Sequence, residues 1–187
     1  MRSASDDLAS AGWCLVDQLV GPGPLARAAA EAAEVDLRPA GVGGGADVRR
    51  QVRGDEMTWL TDPPPGLAQV LGAIDEIARH LAADACLALG ERQVQLARYP
   101  TGAAYARHFD TPAATLGPRR RLTCVYYLNL GWQPDDGGAL RLWPGENPVD
   151  VAPLGDRLVV FFSERLQHEV LASRRARTAL TAWYYGP

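Results

Sequence analysis

The sequence predicts a mainly β fold with N-terminal helices (α+β): a double-stranded β-helix, jelly-roll and cupin-like, with helices packed on one sheet. Three observations predict it. From Gln93 onward, short apolar or aromatic runs alternate with Gly, Pro and Asp clusters, which is how an all-β sandwich or barrel reads. Those runs number about eight, the strand count of a jelly roll. Ahead of them, apolar residues recur at Leu67, Val70, Leu71, Ile74, Ile77, Ala78 and Leu81, the spacing of an amphipathic helix that lies across one face of a sheet.

In chain order, Trp13 to Val20 reads as a strand, and Pro22-Gly23-Pro24 leads into an alanine-rich helix from Leu25 to Val35. Gly41-Val42-Gly43-Gly44-Gly45-Ala46 reads as a flexible loop, because glycines carry no Cβ to restrict the backbone. The amphipathic helix then runs from Leu67 to Leu89. The strands expected after it are Gln93 to Tyr99, Tyr105 to Asp110, Leu122 to Asn129, Ala139 to Trp143, Val149 to Val151, Arg157 to Phe162, His168 to Leu171 and Thr178 to Tyr185.

At 187 residues and 47% hydrophobic content, the chain is long enough for one full core and short for two. We expect a single domain over 1–187, with 1–92 a helical and short-strand support and 93–187 the jelly-roll core that carries the site. The net charge of -3 gives no electrostatic footprint for nucleic acid, and the basic run Arg119-Arg120-Arg121 is local enough to rim a site. Cys14, Cys86 and Cys124 are odd in number and lack any CxxC spacing, which argues against a disulfide framework or a structural zinc site. An acidic N-terminus without an apolar leader, and no uncharged stretch long enough to span a bilayer, lead us to expect a cytoplasmic protein with no membrane partner, and we take a monomer as the default expectation.

The chemistry is concentrated in few residues. Of the three histidines, two belong to the pattern His108-Phe109-Asp110 and, much later, His168, followed shortly by Arg177. In an extended strand successive side chains alternate faces, so His108 and Asp110 project together while Phe109 turns away into apolar packing. His168, just beyond the strand-like run Arg157 to Phe162, can be folded over them. Two imidazoles and one carboxylate on one face leave three positions open, the facial triad of Fe(II) oxygenases. The strand-like run from Arg177 puts Arg177, Thr181 and Trp183 on one face. That is a poor pattern for a plain core, since an unpaired buried guanidinium is unfavourable, and a good one for an anion pocket. A planar bidentate cation suits the far carboxylate of a co-substrate that chelates the metal at its other end. His80, on the amphipathic helix with no ligand partner near it in sequence, reads as structural.

More than the triad carries a resemblance. Ala97-Arg98-Tyr99-Pro100, Tyr105-Ala106-Arg107-His108-Phe109-Asp110, Leu122-Thr123-Cys124-Val125-Tyr126-Tyr127-Leu128-Asn129, Gly137-Gly138-Ala139-Leu140-Arg141-Leu142-Trp143-Pro144, Asp156-Arg157-Leu158, His168-Glu169-Val170, Arg177 and Thr181-Ala182-Trp183-Tyr184 follow in order. This series, over about Gln51 to Tyr185, resembles the 2-oxoglutarate and Fe(II)-dependent prolyl hydroxylases, specifically the oxygen-sensing branch and its bacterial counterparts.

The resemblance implies that His108, Asp110 and His168 are the metal ligands and catalytic centre, with Fe(II), 2-oxoglutarate and O2 as reactants and ascorbate as reductant. It implies that Arg177 grips the distal carboxylate of 2-oxoglutarate, that Tyr127 and Thr181 hydrogen-bond the same end, that Leu140 packs on its chain, and that Tyr99 sits beside the metal with Trp183 close by. Arg121 and Asp55 are implied to pair across a loop that closes on substrate, with Tyr105 also facing substrate. The implied activity is that of a dioxygenase of the peptidyl-proline 4-dioxygenase type. Its partner would be a protein or peptide bearing proline, such as a loop of a bacterial translation elongation factor, with succinate and CO2 as co-products. A small-metabolite hydroxylase and a low-turnover oxygen or 2-oxoglutarate sensor are the alternatives.

Overall fold

In a computed structural model of the chain, residues 3–41, 49, 51–111 and 118–187 are described. Most of the Gly41 to Ala46 loop expected above lies outside them. Three helices precede the main β region: α1 (Ala4–Ala11), α2 (Pro22–Glu34) and α3 (Pro65–Asp84), interleaved with strands β1 (Trp13–Asp17), β2 (Arg38–Pro39) and β3 (Glu56–Trp59). The remaining strands are β4 (Arg92–Tyr99), β5 (Tyr105–His108), β6 (Arg119–Tyr127), β7 (Leu140–Trp143), β8 (Val149–Val151), β9 (Arg157–Phe162), β10 (Gln167–Val170) and β11 (Arg177–Gly186).

The strands form two antiparallel sheets. Seven lie in the order β1-β9-β6-β11-β4-β3-β2 and four in the order β5-β10-β7-β8. The larger sheet is buried on both faces, which is why its central strands read as near-continuous apolar runs rather than alternating ones. One face carries Val94, Leu96, Leu122, Cys124, Tyr126, Leu158, Val160, Leu180, Ala182 and Tyr184, and packs on the helices. The other carries Ala97, Tyr99, Val125, Tyr127, Val159, Phe161 and Ala179, and meets Leu140, Leu142, Val151 and Val170 of the smaller sheet. The period of two along each strand thus divides one sequence run between two cores.

Helix ends are satisfied by distant side chains as well as local ones. In α1 the Ser3 hydroxyl accepts from the Asp6 amide at 3.1 Å and the Asp6 carboxylate accepts from the Ser3 amide at 3.1 Å, a reciprocal capping box. At the start of α2 the buried Asp156 carboxylate accepts from the Val20 and Gly21 amides (2.9 and 2.7 Å) and from the Tyr126 hydroxyl at 2.8 Å. At the start of α3, Glu31 of α2 accepts from the Gly66 and Leu67 amides, both at 2.9 Å. These bonds use orphan amides that a helix cannot satisfy itself. Asp75 then ties α3 to the sheet through the Tyr184 hydroxyl (2.6 Å) and Arg92 (2.8 Å).

All three cysteines are free. Cys14 and Cys124 both lie opposite Val160, on the strands flanking β9. Two strand spacings, roughly 10 Å, separate them, beyond disulfide reach. No described helix is long and apolar enough to cross a membrane.

Candidate active site

The smaller sheet is laid over the inner face of the larger one, and its pairing assembles the three candidate ligands. His168 of β10 is in register with His108 of β5, so the two rings meet with centroids 4.3 Å apart. The ladder ends at His108. Asp110 lies past the strand end and reaches back, its Oδ1 standing 3.8 Å from His108 Nε2 and 3.7 Å from His168 Nε2. Those separations are too long for hydrogen bonds and suit a shared ion. One ligand atom from each residue falls within 4.8 Å of the others.

Phe109 departs from expectation. With the strand ended, alternation no longer buries it, and it is 39% exposed on the lip of the cavity.

The imidazoles are prepared as ligands. His108 Nδ1 faces the Ala106 carbonyl at 2.8 Å and His168 Nδ1 the Leu166 carbonyl at 3.4 Å. A proton on each Nδ1 leaves each Nε2 with a lone pair turned to the centre. Burial, and then the charge of His168, push the His108 pKa down to about 4, so its imidazole is neutral at pH 7. For Asp110, burial opposes ionisation, but His168 and His108 with the nearby Trp183 and Thr123 donors outweigh it and hold the carboxyl below its ordinary range. Two imidazoles beside a carboxylate are a donor set that fits a divalent cation. Tyr105 stacks on His108 at 3.9 Å and fixes its plane.

The other end of the same cavity, about 440 Å³ in volume, holds Arg177, Tyr99 and Leu140, all buried, with the buried Tyr127 against Arg177. Arg177 is only 1% exposed, and its guanidinium stands 5.1 Å from the Tyr99 ring and 4.9 Å from the Tyr127 ring. Arg177 Nε donates to the Gly138 carbonyl at 2.9 Å. Among the described residues its Nη2 and the Tyr127 hydroxyl, buried beside each other, make no well-formed hydrogen bond, and no described carboxylate pairs with the cation. Burial keeps the Tyr127 phenol protonated against the pull of Arg177. A cation and a neutral hydroxyl, both unsatisfied, fit the carboxylate of a 2-oxo dicarboxylate, whose binding would remove the cost of leaving them so. Thr181 and Trp183 line the cavity on the same face as Arg177, as strand alternation requires. Tyr99 pairs with Arg177 in register and lines the same cavity as His108, Asp110 and His168.

The expected Asp55 and Arg121 pair is not formed. Asp55 is 2% exposed and held in two hydrogen bonds by Arg53, at 2.8 and 2.9 Å. The segment around Arg53 adds to the outer edge of β5 through Gly54 N to Ala104 O and Ala106 N to Val52 O, which places Arg53 over the Tyr105 ring. Arg121 donates to the Pro187 carbonyl at 2.9 Å and lies near Glu164. The reason is a register shift: Tyr184 pairs with Leu122 but Tyr185 pairs with Arg120, so Arg121 is the extra residue of a bulge. A bulge re-aims the side chains beside it. Arg120, not Arg121, therefore lines the cavity, stacked 4.0 Å over Trp183.

Sequence reasoning also missed Thr123 and Ser163, both fully buried beside Asp110, and the Gly138 carbonyl behind Arg177. A hydroxyl inside an apolar strand run was the one available signal for Thr123. His80 is exposed on α3, 3.5 Å from Asp84, and takes no part in the site.

The chain has relatives of known kind. The family model described as the 2OG-Fe(II) oxygenase superfamily matches residues 94–185. Egl nine homolog 1 of Mus musculus is 34% identical over 149 residues, 74% of this chain and 36% of that protein. Human prolyl hydroxylase EGLN3 is 36% identical over 151 residues, 73% of this chain and 60% of that protein. The chain thus spans about a third of the length of that egl nine homolog. Among solved structures, a Pseudomonas putida prolyl-4-hydroxylase is 37% identical with a TM-score of 0.87, and the match covers 98% of this chain and 97% of that one. A Trichoplax adhaerens prolyl hydroxylase, solved with a hypoxia inducible factor oxygen degradation domain peptide fragment, is 26% identical with a TM-score of 0.83, covering 97% and 87%.

Proposed function

The chain belongs to the 2OG-Fe(II) oxygenase superfamily, and from that premise we propose that it is a 2-oxoglutarate-dependent dioxygenase that hydroxylates a prolyl residue in a protein or peptide. One observation carries the reading: a two-histidine, one-carboxylate cluster and the buried Arg177, with the Tyr127 ring 4.9 Å from its guanidinium and no described carboxylate paired with it, stand together at one cavity. Iron and 2-oxoglutarate, when bound, supply the oxidising chemistry that puts one oxygen atom of O2 into the substrate and the other into succinate, with release of CO2.

The protein's part is to bind, orient and exclude water. His108, Asp110 and His168 hold the metal from one side. Arg177 and Tyr127 receive the distal carboxylate, with the apolar side of Leu140 along the co-substrate chain and Thr181 and Tyr99 lining the pocket. Because Arg177 lies at the closed end and Phe109 and Trp59 at the open lip, the co-substrate occupies the depth of the cavity and the substrate approaches from outside. Trp59 and Phe109 are 45% and 39% exposed and line the cavity, where they offer apolar ring faces to a proline. Arg120, stacked on the Trp183 ring, supplies positive charge there for peptide carbonyls. Residues 1–187 act as one catalytic unit, the strands before residue 92 completing the larger sheet behind the site.

The test is anaerobic loading with Fe(II) and 2-oxoglutarate, then oxygen exposure with a host cell extract, read by mass spectrometry for a one-oxygen gain on proline, with His108→Ala as control. Hydroxyproline that depends on His108 supports the reading and names the substrate, a loop of a translation elongation factor being the first candidate to inspect. Succinate formation without hydroxyproline would replace it with a small-molecule or non-proline substrate.

A further inference from the structure

Behind the metal-facing side of Asp110 lies a pair of buried hydroxyls that the proposed chemistry does not use. Thr123 of β6 donates to Asp110 Oδ2 at 2.8 Å, and its oxygen stands 2.7 Å from that of Ser163, just past β9. Both residues are fully buried. A hydroxyl carries one proton. Thr123 spends its proton on the carboxylate, so the contact with Ser163 must run the other way, with Ser163 donating to Thr123. The chain Ser163 to Thr123 to Asp110 therefore has a single direction, and each bond polarises the next.

The two oxygens of Asp110 are thereby made unequal. Oδ2 is engaged by Thr123, while Oδ1 faces His108 Nε2 and His168 Nε2 at 3.8 and 3.7 Å. We infer that Thr123 and Ser163 are positioning residues that hold Asp110 as a one-oxygen ligand, keeping its second oxygen off the metal. A carboxylate gripping the ion with both oxygens would take a fourth coordination position. The facial arrangement needs three positions open for a bidentate co-substrate and O2. The hydroxyl pair protects that vacancy. The inference rests on the proposed metal centre and not on the identity of the substrate.

The test uses metal binding without turnover. Metal-free protein is titrated anaerobically with Mn(II), free ion being followed by electron paramagnetic resonance, and the Co(II)-loaded form is examined by visible absorption. Thr123→Val keeps the shape and removes the donor. With Oδ2 freed to reach the metal, this variant is expected to shift Mn(II) affinity about tenfold and to alter the Co(II) ligand-field bands as a further position is filled. Thr123→Ser restores both, and Ser163→Ala moves both in the same direction by less. Wild-type affinity and bands in folded Thr123→Val protein overturn the inference. If that variant does not fold, Ser163→Ala decides alone, and unchanged affinity and bands there overturn it equally. These shifts without any prolyl hydroxylation by the wild type would sink the proposed function and leave this inference standing.

Discussion

Gly138→Ala should separate the packing of Arg177 from its function. Gly138 has φ +66, and a Cβ built on it lies 2.8 Å from Ser173 Cβ, 3.2 Å from Trp132 Cζ2 and 3.3 Å from Arg177 Cδ. The left-handed conformation costs an alanine about 1–2 kcal/mol. Relieving the contact with Ser173 costs about 1–3 kcal/mol more, because that Cβ is attached directly to backbone and cannot swing away. A loss of about 2–5 kcal/mol leaves most domains folded but measurably weaker. The functional effect comes from the Gly138 carbonyl, which accepts from Arg177 Nε at 2.9 Å and so aims Nη2 into the cavity. Losing one charge-assisted hydrogen bond to 2-oxoglutarate is worth about 1.5–3 kcal/mol, or about 10- to 100-fold in Kd. The assay is anaerobic calorimetric titration of Mn(II)-loaded protein with 2-oxoglutarate, beside thermal unfolding. Gly138→Ala with Ser173→Gly removes the tightest contact and should recover most of the affinity. Wild-type affinity in Gly138→Ala despite a lowered Tm would refute the reasoning and reduce Gly138 to a packing residue.

Three further outcomes follow from the same geometry. Arg177→Lys replaces a planar fork with a point charge and should weaken 2-oxoglutarate binding about 10- to 100-fold with Mn(II) affinity unchanged; unaltered co-substrate affinity would place the anion site elsewhere. Asp156→Ala strips acceptors from two amides at the start of α2 and from the Tyr126 hydroxyl, so denaturant unfolding should show a loss of about 3 kcal/mol with no change in Mn(II) binding. The metal-free protein should also lose stability in acid through His108, whose folded pKa is depressed to about 4. A depressed value means the unfolded chain takes up the proton first, so the contribution is complete above pH ~6.5 and lost as pH falls towards 4, by up to about 3 kcal/mol. His108→Ala should flatten that part of the pH–stability curve, and an unchanged curve would show that His108 is not so perturbed.

Much of this was legible along the chain because it depended on local spacing. The long strands β4, β6, β9 and β11 were marked by dense apolar runs, and α3 by its period, although it stops at Asp84 and not Leu89. The strands β2 and β3 escaped notice: Arg38-Pro39 and Glu56-Met57-Thr58-Trp59 are short, half-polar and without a period, and they are strands only because the edge of β4 pairs with β3 and β3 in turn pairs with β2. Helix α1 went unread for a different reason, since its eight residues bury only Leu8 and its caps are local polar contacts.

The candidate ligand set and the buried arginine were legible in the sequence itself, because donor chemistry belongs to the residue type and the inward face of Arg177 to the alternation of a strand. His108, Asp110, His168 and Arg177 needed no coordinates to be chosen. Only the tertiary structure decided which arginine enters the cavity, since one bulge residue in β6 turns Arg120 inward and sends Arg121 to Pro187 and Glu164. It likewise decided that Asp55 is held by Arg53, that Ser163 reaches Asp110 through Thr123, and that a glycine carbonyl aims the guanidinium. Each of these depends on register or on chain segments far apart in sequence, and register is set by the packing of whole sheets, which no local pattern encodes.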